Sequence, residues 1–392
     1  MNDDLKVRAS HLKYLRYLIG AIWFCLAFSA LEMSSLSITN RQGHATRTVR
    51  NSDKPLRGER QVVLQKDLEI KSPIQDYKRR GYIGGLAFDA QNRIFLLDTD
   101  NGIVRVHDSK GMFLKTISVQ KNLNGGISDL LTLKVDDAGK IFILGAKRMY
   151  VFDAKWNLNR EIALSDFVYD FVLTPSSDWI VQLKTKERRK EIALLDKEGK
   201  KKKTISSIPT NKLVYVADLQ GNTHVFNGQE HEFRQDCFFA SRGEGEVVIG
   251  HSSEYKLTIL DSAGNEVLIF SKEERSQTIS SKEKGEIIRQ LEDSFAMKGV
   301  RFSRDKLVAV FDFPDHKPFY QILLADEANS RVYAGKLIEG RKWAVDVFNK
   351  DGVYIYKLTL DFLPILKIAK DRLYSLARGD PSTVVTYRLN LD

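Results

Sequence analysis

The sequence predicts an all-β fold, a six-bladed β-propeller, and three observations carry that prediction. A unit of short apolar strands and polar turns recurs along the chain. Its first copies are spaced by about 40–45 residues, the length of a four-stranded blade. Each copy also ends on an Asp or Asn, a turn residue and a further strand. The clearest copy, "GLAFDAQNRIFLLDTDNGIVRVHDSKGMFLKTI", runs from Gly85 to Ile117. The same punctuation returns over Val135–Ile162, Thr174–Ile205, Ala240–Phe270 and Ala325–Leu358. Before the last turn of these copies stand Asp108, Asp153, Asp196, Asp261 and Asn349. An Asx side chain there can accept from its own backbone two residues on, and Gly111, Gly199, Gly264 and Gly352 supply positive φ. Strands such as Ile94–Leu97, Ile141–Leu144 and Val332–Ala334 are β-branched and aromatic. The repeats count to six blades, with seven as the alternative.

Three regions follow from the N-terminus. Lys6, Arg8, Lys13 and Arg16 precede the apolar run Tyr17–Leu31, so residues 1–31 read as a signal peptide or a membrane anchor. The basic residues before the run favour a cytoplasmic N-terminus and an exported body. Ala27-Phe28-Ser29 offers a cleavage site, and Ile22-Trp23-Phe24 rules out a lipoprotein box at Cys25. Residues 32–60, rich in Ser, Thr, Asn and Arg, read as a flexible linker. Residues 61–392 are the propeller, and a strand near Val62–Ile70 is expected to join the C-terminal "VVTYRL" blade and close the ring. Closure removes open sheet edges that would otherwise pair with other chains.

Two stretches break the period. Asn211–His231 has strand character without a blade ending, which fits an insertion, an elongated outer edge or half of a degenerate blade. Ser280–Asp293 reads as a helix: Ser280 with Glu283 fits a capping box, and Ile287, Ile288 and Leu291 share a face.

The punctuation of Gly85–Gly111, with the closing "YQILLADEANSRVYAGKL…AVDVFNKDGVYIYKLTL…DRLYSLARG…VVTYRL", resembles the NHL-type six-bladed β-propellers, especially exported bacterial ones. The resemblance spans Gln61 to Asp392 and implies a fold rather than an activity.

Charge and cysteine content bound the rest. The chain has 392 residues, 43% hydrophobic and 29% charged, with a net charge of +10 spread widely. The exception, Lys197–Lys203, reads as a solvated hairpin tip. An exported body whose one thiol is Cys237 cannot form an internal disulfide, so packing must hold it together. Cys237, in "DCFFA", reads as a small buried hydrophobe.

Candidate chemistry is sparse. Asp129, Asp170 and Asp236 each stand just before an apolar inner strand. At matching heights they would form a partial carboxylate ring at the channel mouth, able to bind a cation or a basic ligand. Alternatively, each accepts backbone N–H groups of the neighbouring blade. "DTDNG" (Asp98–Gly102) starts like a calcium loop, yet its twelfth position is Ser109, so it reads as a hairpin turn. His107, His224, His231, His251 and His316 form no metal-ligand spacing. Phosphate-binding loops and nucleophile elbows are absent, and no basic-aromatic patch points to nucleic acid.

The expected function is an extracytoplasmic binding or scaffold module, held at a membrane by its N-terminal segment, for a protein, peptide or glycan partner and without a cofactor. The alternative is a metal-dependent hydrolase, lyase or lactonase, which would bring calcium or zinc to the channel mouth.

Overall fold

Strands with apolar residues at both odd and even positions leave no face for water and need a layer on each side. Ile141–Gly145 illustrates this. Ile141 and Ile143 pack with Phe95, Val104 and Val106, while Leu144 joins Phe171 and Trp179 on the opposite side. Six sheets arranged as blades around an axis satisfy every strand in this way. The structure, a computed structural model, describes residues 34–41, 44–71, 81–119, 130–209, 213–227, 233–243, 245–297, 299–310, 313–339, 342–361 and 364–391. Residues 1–31 and Asp129 lie outside the described residues. Among the described residues, no helix is long and apolar enough to cross a membrane.

The innermost strands of blades 1 to 6 are Ile83–Phe88, Leu130–Val135, Phe167–Leu173, Cys237–Gly243, Ile322–Asp326 and Ile365–Ala369. Each blade continues outward by antiparallel pairing. The turns between successive strands therefore alternate between the two faces of the disc. The upper face carries the connections into each inner strand and the turn between strands two and three; the lower face carries the other turns. Six apolar clusters fill the six gaps between neighbouring blades. Burying one Val, Leu, Ile or Phe contributes roughly 1.5–3 kcal/mol.

The lower turns are built as the sequence implies. Asp108 Oδ1 accepts the N–H groups of Lys110 and Met112 at 2.9 and 2.8 Å, and Asp196, Asp261 and Asn349 repeat the pattern. Gly352, at φ +78°, packs this turn of blade 5 onto the outer strand of blade 4, where a Cβ would come within 2.9 Å of Phe270 Cβ. Blade 2 places Trp156 in the corresponding turn at φ +68°. That backbone costs a non-glycine residue about 1–2 kcal/mol. Its ring offsets the cost by lying across blade 1, edge-on to Phe95 and 3.6 Å from the Lys115 ammonium.

The chain's N-terminal strands complete the ring. β1 (Ser34–Arg41), β2 (His44–Asn51), β3 (Glu59–Gln61) and β4 (Gln65–Ile70) come in succession. β4 pairs antiparallel with Asp380–Arg388, matching Ile70 to Val384 and Leu68 to Thr386, and so supplies the fourth strand of blade 6. The seven-blade alternative falls away, because the blade sheets number six.

Much of the described part of the segment expected to be a linker is strand, over Ser34–Arg41, His44–Asn51 and from Glu59. β2 runs parallel to Glu266–Lys272 on blade 4, β1 pairs with β2, and β3 runs parallel to Tyr354–Asp361 on blade 5. The physical reason is that an outer strand needs few apolar residues. Of β2, Thr46, Val49 and Asn51 are buried. Asn51 Nδ2 donates to Ser271 O and Gly352 O at 3.0 and 2.9 Å, and its Oδ1 accepts from Tyr354 N–H at 2.9 Å. One amide thus joins blades 4 and 5.

Asn211–His231 contains a separate hairpin, Leu213–Ala217 with Thr223–Asn227, inserted between blades 3 and 4. The helix Ser281–Ala296, capped by Ser280 and Glu283, and the short helix Arg304–Val310 lie between blades 4 and 5. Val216, Ile288 and Leu307 bury one another, so hairpin and helices form one small unit on the upper face.

Replacing Asn51 with Ala leaves two carbonyls and one N–H without their partner. Asn51→Ala should lower stability in urea unfolding by about 2–4 kcal/mol, whereas Lys54→Ala, at an exposed position three residues on, should leave it unchanged.

Candidate functional site

Two cavities bring charged and apolar side chains together. The first is the central lumen, about 310 Å³, lined by residues of all six inner strands and their ends. It holds four charged side chains: Lys134 of blade 2, Asp170 of blade 3, Glu327 at the end of the blade 5 inner strand, and Lys367 of blade 6. Lys134 Nζ lies 3.6 Å from Asp170, and Lys367 Nζ lies 3.5 Å from Glu327. Burial lowers the Lys367 ammonium below its ordinary value and Lys134 adds to this, against the attraction of Glu327 and Asp170. Burial acts to raise the Glu327 carboxyl, but Lys367, Lys134 and the Ser241 hydroxyl outweigh it and hold the group below its ordinary value. The Glu327 side chain is 40% exposed, so lumen water reaches it.

The second cavity, about 510 Å³, is a cleft on the upper face between the long helix and blade 5. Phe233, Pro318, Phe319, Leu337 and Ile338 give it an apolar lining. Leu337 and Ile338, adjacent at the end of the second strand of blade 5, are each 37% exposed. Two ion pairs cross its wall. Lys317 Nζ meets Glu283 at 2.5 Å, and Lys336 pairs with Glu274. Glu283 is held down to about 2 by Lys317, with the Ser280 N–H and hydroxyl adding to the effect.

Glu274 also links the cleft to a buried network. Lys272 Nζ bonds Glu274 at 2.8 Å and Asp346 at 2.6 Å. Asp346 further accepts from Tyr354 Oη at 2.6 Å and from Tyr255 Oη. Burial disfavours the Lys272 charge, but Asp346 and Glu274 outweigh it and raise the ammonium above its ordinary value. Burial and the neighbouring Asp346 push both phenols up. Blades 4 and 5 are therefore joined by a charge network as well as by apolar packing.

The structure sets Asp170 and Asp236 in comparable places with different surroundings. Asp170 Oδ1 accepts the N–H of Phe171 at 2.8 Å, and Asp236 Oδ1 that of Cys237, also at 2.8 Å. Each thus accepts the next N–H of its own chain segment rather than one from the neighbouring blade; Asp236 stands just before its strand, whereas Asp170, expected there too, lies within Phe167–Leu173. Asp170 faces the lumen and Lys134. Asp236 bonds Lys190 of blade 3 at 2.5 Å and Arg234 at 3.0 Å, and the described lumen lining does not include it. Among the described residues, no three His, Cys, Asp or Glu side chains converge to hold a metal ion.

Other singled-out residues have local partners. His107 Nδ1 lies 3.2 Å from Gly111 O, and burial lowers its ring. His251 Nδ1 lies 2.5 Å from Ser253 Oγ and burial lowers it too. Cys237 is buried, and burial pushes its thiol up to about 11. Asp98, in "DTDNG", is fully buried against Arg105 in a hairpin turn. In the Lys197–Lys203 run, Lys201 meets Glu191 at 2.9 Å and Lys202 meets Asp178 at 2.7 Å.

Sequence reading passed over Lys134, Glu327 and Lys367. The signal was there: "LLTLKV" and "ILKIA" each put one lysine inside an apolar inner strand.

No family model matches the chain, and no curated protein matches it by sequence. Solved structures do. A putative exported protein from Bacteroides fragilis is 9% identical, aligns over 87% of this chain and 98% of its own, and has a TM-score of 0.50. A member of the duf4221 family from Bacteroides vulgatus is 12% identical over 83% of this chain and 97% of its own, at 0.48. A streptogramin B lyase is 11% identical over 84% and 98%, at 0.43. What the Bacteroides fragilis protein shares with this chain is the fold. The resemblance to NHL-type propellers holds for the six-bladed ring.

Two outcomes test this description. Lys272→Met leaves Asp346 buried without its cation, and urea unfolding should show a loss of about 3–5 kcal/mol; Lys336→Met, at the cleft rim, should cost less than about 1 kcal/mol. Glu283 has an ordinary value of 4.5 and is held near 2 in the fold. Its contribution is complete above pH 4.5 and lost as pH falls through 2. Wild type should melt above Glu283→Gln at neutral pH, and that gap should close across this window.

Proposed function

We propose that this chain is an extracytoplasmic binding module, and that its upper-face cleft takes an extended peptide segment of a partner protein. The observation that carries the reading is the composition of the cleft. Its apolar side chains Leu337 and Ile338 are open to solvent, while its charges Lys317, Glu283, Lys336 and Glu274 are already paired. Such a surface favours recognition over bond-breaking, because paired ions are poor acids, bases and nucleophiles. On the rim, Arg275 and Glu339 carry no ion pair among the described residues, and the Gln277 amide is exposed. An extended peptide suits this arrangement: apolar side chains for Leu337 and Ile338, opposite charges for Arg275 and Glu339, and backbone groups for the amide.

The basic residues before Tyr17–Leu31 support export, with residues 1–31 as signal or anchor. If the run is kept as an anchor, the disc stands close to the membrane, because β1 begins at Ser34.

Panning a displayed random peptide library on the full chain tests the reading. Enriched peptides should be apolar with a flanking charge, and their binding should fall at least tenfold, about 1.4 kcal/mol, in Leu337→Asp/Ile338→Asp at unchanged melting temperature. No enrichment, or peptides that bind the variant equally well, would contradict it.

A further inference from the structure

We propose that the central lumen is a binding site for a small zwitterion, an amino acid or a dipeptide in its doubly charged form. The first ground is how charge is distributed around the axis. Lys134 and Lys367 stand on blades 2 and 6, which flank blade 1. Asp170 and Glu327 stand on blades 3 and 5, which flank blade 4. One half of the wall is therefore cationic and the opposite half anionic, and the four charges sum to zero. Between the lysines the wall is the backbone of Gly84 and Gly85, where a Cβ would run into Thr99 or Leu133.

The second ground is that these ions hold one another loosely. At 3.6 and 3.5 Å, both contacts exceed the ~2.7–2.9 Å of a strong charge-assisted hydrogen bond. The contrast inside the same molecule is sharp, since Lys272 sits 2.6 Å from Asp346 and Lys190 sits 2.5 Å from Asp236. Each lumen ammonium can take a closer partner, and so can the carboxylates beside the Phe171 N–H that Asp170 already accepts at 2.8 Å and the Ser241 hydroxyl that bonds Glu327.

A zwitterion can meet all four groups without leaving any charge stranded. Its carboxylate would lie between Lys134 and Lys367, and its ammonium between Asp170 and Glu327. A simple anion would draw the lysines from their carboxylates and leave those uncompensated, and a simple cation would do the reverse. The cavity, about 310 Å³, is at the small end of the roughly 300–1,000 Å³ span of ligand pockets. Leu131, Leu323, Leu366 and Ala240 line it as well, giving a small apolar side chain a place to rest.

The test uses the full chain with glycine, L-leucine and the dipeptide Gly-Leu at millimolar concentration, and with sodium acetate and methylammonium chloride as singly charged controls. Calorimetric titration and thermal melting are read together. A zwitterion should bind and raise the melting temperature, and neither control should. L-leucine against Gly-Leu separates the amino acid from the dipeptide. Glu327→Gln and Lys367→Met should each weaken binding at least about tenfold. Lys367→Glu/Glu327→Lys keeps the lumen neutral while breaking its polarity, so it should fold and lose binding even if a single variant does not fold. Absence of binding by all three zwitterions, equal effects from acetate, or full binding by the swapped variant would overturn the proposal.

Discussion

The constraint on which the rest of the structure depends is closure of the ring. A propeller blade has apolar residues on both faces, so every blade needs two neighbours, and the requirement is met only if the last blade touches the first. Here the join is made by β4 against Asp380–Arg388, with Ile70 buried between blades 6 and 1. The preceding strands extend the same device. β2 lies on blade 4 and β3 on blade 5, so one continuous N-terminal stretch fastens three consecutive blades. In a chain whose described cysteine is a buried free thiol, this lacing takes the place of covalent staples.

Fixing six inner strands around an axis also fixes what can face it. The lumen side chains come from separate blades, and their charges lie opposite one another because blades 2 and 6 face blades 3 and 5. On the upper face, the long connections around blade 4 are free to grow, since no neighbouring blade needs their residues. They have produced the hairpin and helices, and with them a wall for the cleft. The buried Lys272–Asp346 pair ties that cleft to the gap between blades 4 and 5. Glu274 contacts both Lys272 and Lys336, so the cleft wall rests on the blade core.

What could be read in the sequence followed from local chemistry. The Asp and Asn turns, the Ser280–Glu283 cap and the closing strand near Ile70 each rest on a few neighbouring residues or on a strand that needs a partner. β2 was hidden because "HATRTVRN" spends one apolar residue, Val49, on the core and fastens itself through Thr46 and Asn51, whose polar atoms bond the backbone. Composition alone makes such a strand resemble a linker. The lumen charges were hidden for another reason. Glu327 and Lys367 are 40 residues apart, and Lys272 and Asp346 are 74 apart, so only the ring brings them together. Asp170 was legible as a residue at the head of an inner strand, which in fact begins at Phe167, while its partner Lys134 belongs to a different blade.

The claim that the N-terminal stretch is part of the propeller is open to direct measurement by hydrogen exchange on the full chain. The amides of His44–Asn51 and Gln65–Ile70 should exchange as slowly as those of the inner strands, because all open only when the ring opens. Rapid exchange across His44–Asn51 beside a protected Gln65–Ile70 would show a tether joined to a ring that closes without it, and would contradict the lacing of blades 4, 5 and 6.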